Sequence, residues 1–457
     1  MRIVIIGAGA VGFNLARELS QEGHDVAVIE REAEPLKRLQ EKLDVLAVAG
    51  SGTDPQALND AGAEKADLLI AVTDSDEVNM VACALAHEAY GVRQRYARVR
   101  NPALGGPNAL VYKRNFHINR VINPDEITID TIVKTIKTPG VTDVADFADG
   151  QVLLRGFILE EDSPLKNIPL ADLKAKYADL PYLVAAIGRG DSILIPTGED
   201  RLLPGDHVFL LMTADTYPKF ESYLKRRREK PGRVVISGAE RIGIEIARRL
   251  EESVGQIVIV DADPNRTELA SAALEHALVL RGNITEADVL SDSHAGSADF
   301  FVATTERDEI NLISSMLARK AGARQTVVLI KEPEFMPIYG ELGFDVVINS
   351  RLITVEAILR FVRPGKYLSV KKIGEGGAEI FELMVGKDSR GAGLSLREAR
   401  LPAGALVGAV YRDGKATIAC GSTVVEAGDS IIAFVLPQAR ERVEKMYSSK
   451  KRITLRS

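Results

Sequence analysis

Cysteine is scarce in this 457-residue chain: only Cys83 and Cys420 occur. They stand alone, lack metal-ligand spacing, and read as buried or incidental thiols of a reducing cytoplasm. Histidine is scarce too. The six are scattered, no pair has the helical spacing of metal ligands, and so no metal site is expected. No apolar stretch approaches the roughly 18 residues that would cross a bilayer. The first strand begins by residue 2, which leaves no room for a signal peptide. Basic excess is missing as well: the net charge of -6 argues against a nucleic-acid partner. These absences leave an ordinary globular chain of about three to four domains, expected in the cytoplasm.

What the chain does have is a motif written twice. Residues 2–12 read R-I-V-I-I-G-A-G-A-V-G, with Gly7, Gly9 and Gly12; residues 233–243 read R-V-V-I-S-G-A-E-R-I-G, with Gly238, Glu240 and Gly243. Each follows an apolar run and opens a helical one. An acid closes the next apolar run at the same distance, Glu30 being 18 residues after Gly12 and Asp261 18 after Gly243. One glycine triplet is weak evidence; two in matched context imply tandem nucleotide-binding modules. The match continues. Gly50-Ser51-Gly52-Thr53 faces Gly282-Asn283-Ile284-Thr285, and Asp76-Glu77-Val78-Asn79 faces Asp308-Glu309-Ile310-Asn311, both 232 positions apart. Val121-Ile122-Asn123 faces Val347-Ile348-Asn349 at 226, so copy two is about six residues shorter.

In copy one, strands are expected near 2–6, 25–30, 44–48, 66–72, 95–99 and 119–122, with helices near 10–22, 33–42, 55–62 and 76–90. That alternation calls for a parallel, doubly wound sheet of the Rossmann type. Residues 141–225 and 368–448 are richer in short strands and turns and match each other at offset 223, as in Leu183–Ile187 against Leu406–Val410 and Pro204-Gly205-Asp206 against Ala427-Gly428-Asp429. The expected α/β order is therefore a nucleotide-binding domain at 1–123, a crossover helix at 124–140 and a small α+β domain at 141–225. A linker at 226–232 follows, then a second Rossmann-type domain at 233–349, a crossover helix at 350–367 and a second small domain at 368–457. The segments V-I-N-P-D-E-I-T and V-I-N-S-R-L-I-T would start the crossover helices. The basic run Lys225–Arg228 before Pro231-Gly232 reads as a solvated helix end or a docking patch.

Sterics assign the glycines. Gly7 permits the strand-to-helix turn, Gly9 lets backbone approach a pyrophosphate, and Gly12 lets the helix pack on the sheet. The N–H groups of Gly9, Ala10 and Val11 would face the anion. Glu30 can accept ribose hydroxyls and would repel a 2′-phosphate, which favours NAD(H) or an adenine nucleotide over NADP(H). Thr73 and Asp74 end the fourth strand at the ligand edge, although Asp74 or Ser75 could equally cap the next helix. Between Arg93 and Asn123 lie Arg93, Arg95, Arg98, Arg100, Lys113, Arg114 and Arg120 with no acid. Arg98 and Arg100 share a strand face and are the expected phosphate ligands. Copy two places Glu240 at the middle glycine, and its stretch carries Glu332, Glu334, Glu341 and Asp345 beside Arg324 and Lys331. Its site, comprising Gly238, Ala239, Arg241, Ile242, Gly243, Asp261 and Asn283, is expected to be weaker.

These residues resemble the RCK (KTN) family of ligand-gated regulators of K⁺ transport, and in particular members with two N–C modules fused in one chain. The resemblance rests on I-I-G-A-G-A-V-G at 5–12, A-V-T-D-S-D-E-V-N-M-V-A-C at 71–83, A-R-V-R at 97–100 and E-A-G-D at 426–429. It implies small domains of the RCK-C type and NAD(H), or alternatively ATP/ADP, in the first module. It also implies a homotetrameric ring at the inner face of the cell membrane, beneath an integral membrane Trk-type K⁺ channel/transporter subunit. By match to the family motif, Gly7, Ala8, Gly9, Ala10, Val11, Glu30, Ser51, Gly52, Thr73, Asp74 and Arg98 carry over as nucleotide contacts. A nicotinamide-dependent dehydrogenase is the rival. It needs an acid/base beside the hydride acceptor, and the Tyr-x-x-x-Lys from Tyr411 to Lys415 surrounds an Asp-Gly turn and reads as a hairpin. No enzyme activity is expected; an assembly scaffold without signalling is the remaining alternative.

Overall fold

The computed structural model describes residues 1–105, 115–138, 140–190, 192–223, 231–362, 367–373 and 378–448. Lys113, Arg114 and the basic run at 225–230 lie outside the described residues.

The first module is a six-stranded parallel sheet. Its strands are β1 (Arg2–Ile6), β2 (Asp25–Glu30), β3 (Leu46–Ala49), β4 (Leu68–Ala71), β5 (Gln94–Arg98) and β6 (Arg120–Ile122), in spatial order 3-2-1-4-5-6. The described α-helices of six or more residues are α1 (Ala10–Gln21), α2 (Ala33–Lys42), α3 (Pro55–Asp60), α4 (Asp76–Glu88) and, after β6, α5 (Pro124–Ile136). The ends of the strands and of α1 to α4 fall within two residues of the expected ones; α5 begins at 124 as expected and stops at Ile136, short of 140. Ile3 to Ile6 and Leu68 to Ala71 are all buried, because helices cover both faces of a parallel sheet and an alternating strand would not serve. Local chemistry sets the helix starts: Asp54 caps α3 ahead of Pro55, and Ser75 caps α4 through the Val78 N–H. Asn123 accepts from the N–H groups of Asp125 and Glu126 to begin α5. The second module repeats the order and direction with strands Arg233–Ser237, Gln256–Asp261, Leu278–Arg281, Phe300–Ala303, Gln325–Ile330 and Val346–Asn349.

The two small modules are five-stranded antiparallel sheets with one topology, built from Asp143–Phe147, Val152–Ile158, Tyr182–Arg189, Ser192–Leu194 and His207–Thr213, and from Tyr367–Ile373, Ala378–Met384, Ala405–Arg412, Lys415–Ile418 and Ser430–Val435. Each hides one aspartate under a bidentate arginine, Asp206 with Arg189 and Asp429 with Arg412, which pins the same turn in both. The Tyr411–Lys415 segment is a hairpin: Arg412 pairs with Lys415, and Asp413 and Gly414 both have positive φ.

Along the chain the modules alternate, but they do not group that way. Residues 1–133 and 232–359 form one compact unit; residues 134–231 and 360–457 form another. In the second unit the small sheets share a core in which Phe147, Leu154, Phe209 and Leu211 meet Ile380, Ala409, Ile432 and Phe434. Gly408 allows the contact, since a Cβ there would sit 2.6 Å from Leu211. In the first unit, α5 lies against helix Arg241–Leu250 of the second α/β module. Arg249 bonds Glu126 (2.5 Å) and Asp130 (2.6 Å), and Arg241 bonds Asp125. Among the described residues no helix is long and apolar enough to cross a membrane.

Candidate functional site

The strand order reverses between β1 and β4, and the loops leaving their carboxyl ends open a crevice. The three glycines there answer to different demands. Gly7 has φ +98°, and a Cβ on it would press Thr73 at 3.0 Å. A Cβ on Gly12 would lie 1.9 Å from the Gly7 carbonyl oxygen. The fold itself therefore requires glycine at both positions. At Gly9 it does not: φ is -59°, and among the described residues no atom beyond its chain neighbours lies within 4 Å of where a Cβ would sit. Gly9 is the N-cap of α1 and provides no side-chain cap, so the first N–H groups of the helix, from Ala10, Val11 and Gly12, lack that partner and keep their partial positive charge.

Glu30 is buried at the end of β2. Its Oε2 accepts from the Ala8 N–H (2.6 Å), and its Oε1 accepts from Arg31 and Glu32 (2.8 and 2.9 Å). A carboxylate has about four acceptor positions, so Glu30 fastens the glycine turn and retains about one position for a ribose hydroxyl. The loop after β3 closes alongside. A Cβ on Gly52 would strike Ile6 at 2.1 Å, so packing accounts for that glycine; Ser51 Oγ sits 2.9 Å from Thr53 Oγ1.

On the other side of the crevice, Ser75 is the cap of α4 and Asp74 is not. Asp74 Oδ1 takes bonds from Arg98 (2.6 Å) and Arg100 (3.0 Å). Partial desolvation opposes its ionisation, but the bonds and charges of Arg98 and Arg100 outweigh it and hold the carboxyl below its ordinary value. Arg98 is only 6% exposed. Burial lowers its pKa, with Arg100 adding to the effect against the pull of Asp74, and its buried Nε has no hydrogen-bond partner among the described residues. The basic stretch is not one field, as its acid-free sequence suggested. Arg95 turns to the opposite sheet edge, where its guanidinium bonds the carbonyls of His117 and Val92. Arg93 and Arg120 lie at that same edge, before β5 and at the start of β6. Of the described members, only Arg98 and Arg100 face the crevice.

One organising residue escaped the sequence reading. Asn79 is fully buried; it accepts from the Thr73 N–H (2.9 Å) and Oγ1 (2.7 Å) and donates to the carbonyls of Thr73 and Arg98 (3.0 and 2.9 Å). It ties the ends of β4 and β5 to α4. Asn311 makes the same four bonds in copy two, with Thr305 and Leu329. The signal was visible in the matched D-E-V-N and D-E-I-N.

The second crevice keeps the framework and changes its lining. Gly238 has φ +110°, Gly243 meets Gly238 O at 1.9 Å, and Asp261 accepts from the Ala239 and Asp263 N–H groups. At the position of Gly9, the Glu240 carboxylate closes onto Arg266, itself 3.8 Å from Asp261. Burial pushes the Glu240 carboxyl up, and nearby Glu306 and Asp261 add to this against Arg266. Leu329 replaces Arg98. Arg241 is drawn to Asp125, and Asn283 closes its own loop onto Thr285. Ile242 sits on helix Arg241–Leu250 behind Glu240.

Comparison with known proteins places this architecture. The chain matches the TrkA-N domain over residues 3–124 and again over 234–350, and the TrkA-C domain over 154–225 and 380–448. It is 34% identical to the Trk system potassium uptake protein TrkA of Halomonas elongata and 31% identical to that of Azorhizobium caulinodans, each over 451 residues and 98% of both chains. Its fold is similar to that of the GsuK channel bound to NAD, with TM-score 0.62 and 18% identity over 97% of this chain and 78% of that one. The chain belongs to the TrkA family of Trk system potassium uptake proteins.

Proposed function

We propose that the first crevice binds NAD(H), or alternatively ATP/ADP, and that its occupancy regulates K⁺ uptake through a membrane partner. The observation that carries this reading is Gly9. Nothing in the protein's own packing requires glycine there, whereas a pyrophosphate seated on the bare start of α1 would. Glu30 offers its remaining acceptor position to a ribose, and Arg98 offers a buried, unpartnered N–H beside Thr73 and Asp74. In this reading Gly7, Ala8, Gly9, Ala10, Val11, Gly12, Glu30, Ser51, Gly52, Thr73, Asp74, Arg98 and Arg100 form the site, and the second crevice binds a dinucleotide more weakly. Calorimetry of the whole chain with NAD⁺, NADH, ATP and ADP is the test, and absence of saturable binding by all four would end the proposal. Glu30→Gln is expected to weaken ribose-dependent binding by about 1–3 kcal/mol. Glu30→Ala should also lower Tm, because the Ala8, Arg31 and Glu32 N–H groups lose their acceptor. Unchanged affinity in the Gln variant would remove Glu30 from the site.

The proposed assembly is a homotetrameric ring, peripheral to the inner face of the membrane, that engages an integral Trk-type K⁺ channel/transporter subunit. A nucleotide shifts such a ring only by its difference in affinity for two conformations. The contacts available for transmission run from Asp74 through Arg100 to Asn123, which donates to the Arg100 carbonyl at 3.3 Å. Asn123 starts α5, and α5 holds Arg241 and Arg249 of the second module. Regulation rather than catalysis is favoured because, among the described residues, neither crevice presents an acid/base pair for hydride transfer. The purified chain is expected not to oxidise NADH with small carbonyl substrates; steady turnover that a crevice mutation abolishes would revive the dehydrogenase reading.

A further inference from the structure

Three side chains outside the crevice meet at the far end of α4. His87 and Glu88 are its last two residues, and His117 lies on the loop before β6. The Nε2 of His117 is 3.0 Å from Glu88 Oε1, and the Nε2 of His87 is 3.9 Å from the same oxygen. The two imidazole centroids are 4.1 Å apart. All three ligand atoms lie within 4.8 Å of one another, so a cation with bonds of about 2.0–2.2 Å fits among them after small side-chain rotations. Sequence spacing could not reveal this, because metal-ligand patterns are read along one helix and these histidines come from different elements. The edge of the parallel sheet brings them together.

We propose that His87, Glu88 and His117 form a site for a borderline divalent transition metal of the zinc, cobalt(II), nickel or copper(II) class, with water completing the coordination. Two imidazoles and one carboxylate suit that class; calcium and magnesium prefer sets made of oxygen alone. The group is partly exposed and open to an ion from solvent. It sits at the C-terminus of a 13-residue helix, where the macrodipole favours positive charge. His117 is held in the left-handed region, φ +54°, and its carbonyl oxygen accepts from Arg95 Nε at 2.6 Å, so one ligand is fixed from behind. The Arg95 charge works against a cation, but it is directed onto the backbone carbonyls of His117 and Val92.

The test uses the full chain, cleared of metal with a chelator and titrated by calorimetry with zinc chloride, and with calcium and magnesium chloride as controls. Cobalt(II) serves as an optical reporter. One zinc per chain is expected, with affinity falling on acidification because an imidazole must lose its proton to ligate. His87→Gln and His117→Asn should each weaken zinc binding by at least about tenfold; Asn tolerates the left-handed backbone at 117. Gly9→Glu should leave zinc binding unchanged, which separates this site from the nucleotide reading. No stoichiometric zinc binding, full binding in the His87→Gln/His117→Asn double variant, or calcium binding as tight as zinc would each overturn the proposal.

Discussion

Gly9→Glu is expected to abolish nucleotide binding in the first crevice while leaving the fold intact. The backbone at Gly9 already has φ -59°, which any L-residue adopts, and a Cβ there points into open space, so the change in stability should stay within about 0.5 kcal/mol. The new carboxylate would enter the space a pyrophosphate needs. Two like charges 4 Å apart cost about 4 kcal/mol at an effective dielectric near 20, roughly a thousandfold in affinity. The second crevice has already made this change, and there Arg266 neutralises Glu240. In the first crevice Pro35 stands at the position of Arg266 and cannot neutralise the new charge. Calorimetry with NADH and ATP beside a melting curve would decide it. Native Tm with lost binding and lost nucleotide control of K⁺ uptake is expected; native affinity would show that the ligand does not approach Gly9.

Repetition made most of this fold legible. Short hydrophobic runs, separated by amphipathic helices, could be aligned between copies, and the strands read in copy one end within two residues of the observed ones. The roles of Gly7 and Gly12 were legible because they follow from backbone sterics alone. What the sequence concealed were side-chain directions. Asp74 and Ser75 were equal candidates for the cap, and in the structure Ser75 bonds Val78 while Asp74 turns to Arg98 and Arg100. Arg95 and Arg98 read as members of one basic field, yet they sit at opposite edges of the sheet because they lie at opposite ends of a five-residue strand. The pairing of α/β with α/β and of small domain with small domain was likewise hidden. Linear order says nothing about which buried face matches which, and the Phe147–Phe434 core depends on that match.

Asn79→Ala and Asn311→Ala form the most informative pair of substitutions, since their structural costs should agree and their functional costs should not. Each asparagine is fully buried and makes four hydrogen bonds that join two strand ends to a helix. Truncation leaves a threonine N–H and two carbonyls without that partner, at about 1–3 kcal/mol for each group that stays unsatisfied. Hydrogen exchange should show that loss within the mutated module, at the β4–α4 junction for Asn79 and at the Ala303–Asp308 junction for Asn311. Nucleotide affinity should respond only to Asn79→Ala, because Asn79 sets where Thr73, Asp74 and Arg98 converge. Around Asn311 the residue replacing Arg98 is Leu329, and Glu240 already occupies the crevice. An Asn311→Ala chain that loses nucleotide binding as completely as Asn79→Ala would mean that the second crevice, or the α5 contact between the modules, controls the ligand.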